Sequence, residues 1–377
     1  MVPPIDESPI ELPPEKPMLS GVALHGLAGD VIGKLDPHTE ASNAALLVQL
    51  LIRFGTQIGP IPYFRAEAAR HYTNEYAVIV GRTAIARKGS SDTQISQVFD
   101  PIEPEFRINN RQHGLSSGEG LIWIVRDPVE EQRPIKDKGG KFTRQYETVV
   151  TDPGVPDKRL YILEAEFGST IRVMGRDGSN LSGIIRCAWD DDALKSLTKN
   201  SPAKATDPHI SIIGHCTNQE LLRNLDSTEA ANGFGNRFLW IHAERSKLLP
   251  DGGAFETVDL SSVTSRLQRA IEFARTVDEM RRDEEARDLW HAVYGELSEG
   301  KVGLLGAMTA RAEAHVMRLA MLYALLDQSR QSSAFTWRLV SPYGNTQKTA
   351  LGTSSEIALA TLSPMRSYVH SEIPQSG

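Results

Sequence analysis

A basic turn with two hydroxyls follows an apolar run in the first quarter of the chain. Residues 81–91 (GRTAIARKGSS) come directly after YAVIV at 76–80. In a phosphate-binding loop, backbone N–H groups at a helix start hold an anion, a lysine such as Lys88 neutralises it, and a Ser or Thr hydroxyl ligates Mg²⁺. The strict G-x-x-x-x-G-K-[ST] pattern fails, because Ala86 and Arg87 stand at its second Gly and its Lys. The turn alone therefore leaves two interpretations, a nucleotide site or a capped strand-to-helix turn.

Acidic side chains accompany two further apolar runs. Glu119 lies among glycines beside LIWIV at 121–125, where a carboxylate could polarise an attacking water. Glu164 ends the run LYILE (160–164), and an acid there could hold the water shell of Mg²⁺. Glu166 would project to the same side if that strand continued. Taken singly, each position is also compatible with an ordinary turn or strand end.

Polar residues also mark the last two apolar runs. His215 and Thr217 follow ISIIG (210–214) and could sense a γ-phosphate, although a buried, hydrogen-bonded His is a common alternative. Arg237 precedes FLWIH (238–242) and could act on a neighbouring subunit's nucleotide as an arginine finger, or form a surface ion pair. Along the chain, a phosphate-binding turn, a base, a metal-binding acid, a phosphate sensor and an arginine finger would thus follow one another in the order that nucleotide hydrolysis requires. Together they favour a nucleotide site.

These side chains must be positioned by a sheet. Short runs rich in β-branched and aromatic residues predict parallel strands buried on both faces, and the helical stretches between several of them indicate an α/β fold. The runs lie at 76–80, 121–125, 160–164, 210–214 and 238–242. The predicted organisation is a proline-rich linker (1–20), an N-terminal helical segment (21–72), a core (73–250), a C-terminal helical region (251–330, with helices over 261–291 and 303–327) and an atypical tail (331–377). Two polar stretches are predicted as loops, of which the first could be a hairpin (126–159 and 194–209).

Composition limits the partners. The formal charge is −7 over 377 residues, so any nucleic-acid contact must come from local basic loops. The candidates are Lys195, Lys199 and Lys204 and, less directly, Lys138, Lys141 and Arg144, with solvated lysines as the alternative. Two cysteines and the absence of an export or membrane-spanning pattern predict a cytoplasmic protein.

A combination of short motifs runs from about Gly21 to Asp327. The motifs are GLAGD, PHTEA, ALLVQLLIRFG, HYTNEYAVIVGRTAIARKGSS, GLSSGEGLI, LYILEAEF, LTKNSPAKAT, HISIIGHCT, TEAANGFGNRFLW and RLAMLYALLD. Together they resemble an uncharacterised family of helicase-like P-loop ATPases from bacteria, plasmids and phages, which are often joined to a primase-polymerase domain. That family is similar to the RepA-like hexameric helicases of the RecA superfamily.

The resemblance implies a RecA-like P-loop NTPase core with a mostly parallel central sheet, which binds ATP and Mg²⁺. It implies a homo-oligomeric ring (a hexamer is one candidate size), single-stranded DNA as a partner, and a primase-polymerase domain or protein as another. Glu119 would be the catalytic carboxylate, Glu164 the Walker-B-like acid and Arg237 the finger. The residues implied to contact the nucleotide are Gly81, Arg87, Lys88, Gly89, Ser90 and Ser91, with His215 and Thr217 as sensors and with Ser90 and Glu164 at the metal.

These observations predict an ATP-dependent helicase-like or translocase-like ATPase of plasmid or phage DNA replication. The departure from the strict loop pattern leaves hydrolysis, as opposed to binding, open. One alternative is therefore an ATP-binding loader or initiator scaffold with little or no hydrolysis. Another is a small-molecule kinase that uses the same loop, although no arginine-rich lid segment is evident.

Overall fold

A computed structural model describes the fold over residues 19–82, 87–136, 142–190, 193–196, 203–224, 232–299, 303–334 and 336–337. The helices are α1 (Gly26–Leu35), α2 (Asn43–Ile58), α3 (Lys88–Phe99), α4 (Pro104–Asn109), α5 (Gly118–Ile124), α6 (Phe167–Met174), α7 (Leu181–Trp189), α8 (Asn218–Asn224), α9 (Ser261–Ala274), α10 (Glu284–Ser298), α11 (Gly303–Thr309) and α12 (Ala312–Leu326). The strands are β1 (Tyr63–Ala66), β2 (Ala69–Tyr72), β3 (Tyr76–Val80), β4 (Arg111–Gln112), β5 (Val129–Lys136), β6 (Phe142–Asp152), β7 (Arg159–Glu164), β8 (Leu194–Lys195), β9 (Lys204–Ala205), β10 (His209–Cys216), β11 (Leu239–His242), β12 (Glu279–Arg282) and β13 (Gln331–Ser332). None of the described helices combines the length and the apolar composition that a membrane span needs.

The central sheet has five strands in the order β11-β3-β10-β7-β4, and every neighbouring pair is parallel. All its strands therefore end at one edge, the carboxyl edge, where β3, β7 and β10 finish. The opposite edge, where they begin, is the amino edge. The predicted α/β class with a mostly parallel sheet is confirmed. Four of the five predicted runs are strands, as their continuous burial requires.

Helices cover both faces of this sheet, as side chains along β10 illustrate. Ile213 packs into the cluster formed by α2, α3, α9 and α12, whereas Ile210 and Ile212 pack into the cluster formed by α5, α6 and α7. Alternate residues of a strand point to opposite faces, so one strand feeds both clusters. Helix α2 is buried along nearly its whole length, because it lies between the sheet and α12.

The prediction of a strand for LIWIV is wrong, because residues 121–124 of this run form the second half of helix α5. Ser117 caps this helix, since its side chain accepts a hydrogen bond from Gly120 N at 3.0 Å. Leu121, Ile122 and Val125 are buried while Trp123 is half exposed, a pattern that fits one helical face. A five-residue apolar run has no periodicity that separates helix from strand. The strand that precedes α5 is the short β4.

The N-terminal and C-terminal parts of the chain share a second sheet in the order β13-β12-β1-β2. The segment 21–72 is thus helical only as far as Ile58, because β1 and β2 follow. The helix predicted over 261–291 is interrupted by β12, which pairs in parallel with β1. Two antiparallel hairpins complete the fold: β5–β6, within the stretch predicted as a loop or hairpin, and the short β8–β9.

Candidate functional site

Lys88 is the first residue of α3 and lies at the carboxyl edge. Its Nζ donates to Gly81 O at 3.1 Å and to Cys216 O at 2.7 Å, the carbonyls at the ends of β3 and β10. Burial lowers the pKa of Lys88. An ammonium carries three N–H groups. Two are used by the acceptors among the described residues, so one remains for an anion.

The backbone before Lys88 clarifies how the loop compares with the standard pattern. Arg87 has φ 50° and ψ 32°, in the left-handed region that favours glycine. Arg87 therefore has the backbone conformation that a Gly before the Lys would favour, although Ala86 and Arg87 stand at the Gly and Lys positions of the strict pattern. Counted from Gly81, Lys88 lies one residue beyond the Lys position of that pattern. Residues 83–86 lie outside the described ranges.

The hydroxyls and glycine of the first turn of α3 divide into two groups. Gly89 and Ser90 are exposed and face outward from the turn. Ser91 is buried, and its Oγ donates to Lys88 O at 2.7 Å and accepts from Gln49 Nε2 at 2.5 Å. Ser90 is therefore the hydroxyl that a Mg²⁺ ion could reach, whereas Ser91 holds α3 against α2. Arg87 is exposed, and its Nε lies 2.6 Å from Glu40 Oε2.

Lys88 also marks a reversal in the direction of the chain connections. Helix α3 follows β3 and places Ile95 and Val98 on the α2 face of the sheet. Helix α8 follows β10 and places Leu221 on the opposite face. In open α/β sheets, ligands bind at the carboxyl edge where neighbouring strands send their connections to opposite faces. The carboxyl ends of β3 and β10 meet this condition.

Glu164 ends β7, on the other side of β10 from β3. It pairs in register with Gly214, and two strand spacings separate β7 from β3 by about 10 Å. Its Oε1 accepts from Gly114 N at 2.5 Å and Leu115 N at 2.9 Å. Glu166 is exposed at the turn into α6, so the two acids do not share a strand face. Glu164 therefore stands alone as the acid at this strand end.

Glu119 lies in the first turn of α5, and its carboxylate is already bound. Its Oε1 accepts from Asn180 Nδ2 at 2.7 Å and from Ser196 Oγ at 3.3 Å. Gly118 permits this contact, because a Cβ there would lie 2.5 Å from Asn180 Oδ1. To act on a water at Lys88, Glu119 would have to leave these partners. Sequence reasoning missed Asn180, although its place directly before α7 is typical of a helix-capping residue.

His215 and Thr217 differ in their surroundings. His215 is buried, and its Nε2 has no hydrogen-bond partner among the described residues. Burial, with a smaller contribution from the Lys88 charge, lowers the pKa of His215 to about 4. Thr217 starts α8 in a capping box: its Oγ1 accepts from Glu220 N at 3.1 Å, and Glu220 Oε2 accepts from Thr217 N at 2.9 Å. This cap accounts for Thr217, whereas His215 Nε2 is a buried nitrogen without a hydrogen-bond partner among the described residues.

Arg237 lies inside its own chain, with a side chain 9% exposed. Its guanidinium donates to Asp190 Oδ2 and to Gly233 O, both at 2.5 Å. A finger that acts on a neighbouring subunit must reach the surface, so this role would require Arg237 to release Asp190. The role stays a prediction.

The candidate DNA-binding lysines lie on the short hairpin. Lys195 and Lys204 are exposed and directly paired across β8 and β9. Lys204 Nζ is also 3.7 Å from Asp127 Oδ2. Lys199, Lys138 and Lys141 lie outside the described residues. Ser196, which binds Glu119, directly follows Lys195, so the hairpin is joined to the candidate catalytic carboxylate.

Within the described ranges, no group of three or more His, Cys, Asp or Glu side chains could hold a metal ion. A nucleotide-bound Mg²⁺ does not need such a group, since phosphate and water supply most ligands. Searches against family models and curated proteins gave no match. The geometry at the carboxyl edge therefore carries the functional assignment.

Proposed function

We propose that this chain is an ATP-dependent helicase-like or translocase-like ATPase that acts on single-stranded DNA, with a RecA-like core. The observation that carries the proposal is the position of Lys88, which bridges the carbonyls at the ends of β3 and β10 from the first turn of α3. A lysine there can bind the β- and γ-phosphates of a nucleotide, and the helix start adds backbone N–H groups.

The order of the other features supports the same mechanism. After β3 and its loop, the next strand of the central sheet along the chain is β4, which leads to Glu119, and the following one is β7, which ends at Glu164. Phosphate loop, base and acid thus follow strands that are successive along the chain, although β7 and β4 lie two and three strands away from β3 in the sheet. Ser90 and Glu164 would hold the hydrated Mg²⁺, which neutralises charge on the phosphates when bound. Glu119 would orient the attacking water.

Coupling to DNA is supported by the contact between Ser196 and Glu119. DNA phosphates bound at Lys195 would act on the residue next to Ser196, and so on the hydrogen bond that holds Glu119. Release of Glu119 would then place a base near the nucleotide only when DNA is present. The proposal includes a homo-oligomeric ring with ATP between subunits, and a primase-polymerase partner.

A second candidate is an ATP-binding loader or initiator scaffold with little or no hydrolysis. One observation favours it: Glu119 already has two hydrogen-bond partners, and a carboxylate that stays there cannot activate water. Binding through Lys88 would be the same in both candidates, so turnover distinguishes them.

The test is phosphate release with and without single-stranded DNA, beside a measurement of particle size with and without ATP. The motor requires turnover that DNA stimulates, and that Glu119→Gln abolishes while ATP binding persists. ATP binding without phosphate release in either condition, unchanged by Glu119→Gln, would select the scaffold. Absence of ATP binding would reject both candidates.

A further inference from the structure

The hairpin β5–β6 is the most exposed regular element of the described chain. Almost every residue of both strands is exposed, and this holds for both faces of the hairpin. A two-stranded hairpin without a covering layer is marginally stable by itself and gains little from its own apolar burial. Apolar and charged side chains on it are therefore available to a partner.

Charge divides the hairpin into two halves. The half nearest the body (129–132 and 147–152) carries Glu130, Glu131, Glu147 and Asp152 and no Lys or Arg. The distal half (133–136 and 142–146) carries Arg133, Lys136 and Arg144 and no Asp or Glu. Although the protein has a net negative charge, the distal half of this hairpin is positively charged. That end is complementary to a polyanion.

Two aromatic rings lie among these cations. Phe142 is 63% exposed and Tyr146 is 64% exposed. Lys136 Nζ lies 5.1 Å from the centre of the Phe142 ring, and Tyr146 pairs directly with Pro134. Exposed apolar surface of this kind, when it is rimmed by polar residues, can serve as an interaction site. Rings interleaved with cations are the arrangement that binds stacked bases and backbone phosphates of single strands.

An irregularity in the strand pairing sets the direction of the distal side chains. Pro134 pairs with Tyr146 but Lys136 pairs with Phe142, so β6 has two extra residues at this point. Arg144 lies in the bulge with φ 65°, a left-handed conformation rare for a residue with a side chain. Bulges redirect side chains and stop further strand pairing. The bulge therefore disfavours a second strand as the occupant.

We propose that the distal half of the β5–β6 hairpin binds single-stranded DNA by stacking bases on Phe142 and Tyr146, with Lys136 and Arg144 on the phosphates. The inference rests on the proposed function for the choice of single-stranded DNA, and it does not depend on nucleotide binding or hydrolysis. The end of the hairpin that joins the rest of the protein lies beside the pair Lys195 and Lys204, because Asp127 N donates to Lys204 O at 2.8 Å. The acidic half of the hairpin separates this lysine pair from the distal cations, so the proposed site is the distal half alone.

The experiment measures binding of a fluorescent oligothymidylate by anisotropy, with the full chain and no nucleotide. Tyr146→Ala should weaken binding by roughly 5- to 150-fold, the loss of one base–aromatic stack. Tyr146→Phe should retain binding, because the ring remains. Val150→Ala is the matched control: Val150 is exposed on the same strand face but lies in the acidic half, so affinity should not change.

An oligonucleotide that has the sugar-phosphate backbone but no bases separates the contribution of base stacking to affinity from the contribution of charge. The wild-type chain should bind it more weakly than oligothymidylate, and Tyr146→Ala should then have no further effect. Lys136→Ala should instead weaken both ligands and reduce the salt dependence by about 0.7 in log–log slope per lost contact. Far-UV circular dichroism should be unchanged, since these side chains are exposed.

Equal loss of affinity for both ligands in Tyr146→Ala, or no loss for either, would overturn the stacking site. A change in particle size without a change in DNA affinity would assign the hairpin to contact between copies of the chain. These outcomes are independent of phosphate release. An inactive ATPase with a stacking hairpin would reject the motor alone, and an active ATPase without stacking would reject the hairpin site alone.

Discussion

The two edges of the central sheet differ in how their polar groups are used. At the amino edge, Glu75 is fully buried, and its Oε1 lies 3.1 Å from Trp189 Nε1 and 2.9 Å from His315 Nδ1. Arg318 is 1% exposed and donates to Trp189 O at 2.9 Å and to Asn74 O. Its guanidinium also lies 3.8 Å from the Trp189 ring centre. Polar groups here bind one another and fix the helices to the sheet.

At the carboxyl edge, polar groups remain available. Gly89 and Ser90 are exposed at the start of α3, and the acceptors of Lys88 Nζ among the described residues are strand-end carbonyls. His215 is as buried as the residues of the opposite edge, yet its Nε2 has no partner among the described residues. Unsatisfied buried polar atoms also occur at the amino edge, at Glu75 Oε2 and His209 Nδ1, so the contrast between the edges rests on the exposed first turn of α3 and on Lys88. We therefore propose that the amino edge contributes stability and the carboxyl edge contributes binding.

Loss of catalytic function at the carboxyl edge should be the largest effect. Glu164→Gln removes the acid at the end of β7, so we expect phosphate release to fall by roughly 100-fold or more while ATP binding persists. Glu166→Gln is the matched control, since Glu166 is exposed and lies outside the strand. Equal rates for the two variants would remove Glu164 from the site.

Loss of a buried donor at the amino edge should affect stability and not binding. Arg318→Met removes the Arg318 donor from Asn74 O and leaves Trp189 O only the longer bond from Asn74 Nδ2 at 3.4 Å, so we expect the free energy of unfolding to fall by about 3 kcal/mol in urea titrations. Arg266→Met is the control: Arg266 forms an exposed ion pair with Asp30, which should contribute less than about 1 kcal/mol. A folded Arg318→Met chain should bind ATP normally. If Arg318→Met left stability unchanged and weakened ATP binding, the amino edge would have a binding role and not a stabilising one.

The two ends of β10 offer a comparison within one strand. His209 at the amino edge is buried, and burial lowers its pKa from 6.5 to about 4. The unfolded chain therefore takes up a proton between pH 6.5 and about 4 that the folded chain does not, and stability falls as pH is lowered through this window. His209 should contribute about 3 kcal/mol to that fall. His209→Gln should flatten the profile of unfolding free energy against pH by this amount.

His215, at the carboxyl edge of the same strand, should respond to ligand. Phosphate near its Nε2 would favour the protonated ring, so ATP should raise the pKa of His215 above its value of about 4. The pKa of His209 should not move. Histidine signals in NMR titrations with and without ATP check both statements, and movement of His209 alone would contradict the placement of the ligand.

The smallest expected effect concerns the coupling between DNA binding and phosphate release. Ser196→Ala removes one hydrogen bond to Glu119, so we expect DNA stimulation of phosphate release to change by about fivefold, while ATP affinity stays constant. Ser246→Ala is a control, since its hydroxyl also forms a part-buried hydrogen bond, to Ala41 O. Unchanged stimulation in Ser196→Ala would separate the short hairpin from Glu119.

Local patterns predicted the parts of the fold that depend on local physics. YAVIV is a strand because five consecutive apolar residues are buried on both faces. LIWIV has a similar composition but is a helix, since Ser117 caps it and α7 packs on it. The amino-edge network could not be predicted, because Glu75 and His315 are 240 residues apart. Lys88 was identifiable from its residue type and from the strand before it, but its two carbonyl partners required the sheet order.

The most direct test of the central claim is an ATP titration of the wild-type chain and of Lys88→Ala, measured by calorimetry. The matched control is Lys34→Ala, because Lys34 also donates to a backbone carbonyl, Asp259 O at 3.0 Å, but lies on the surface far along the chain from β3. We expect Lys88→Ala to weaken ATP binding by about 100-fold and Lys34→Ala to leave it unchanged. Equal ATP affinity in all three proteins would show that the carboxyl ends of β3 and β10 do not form a nucleotide site.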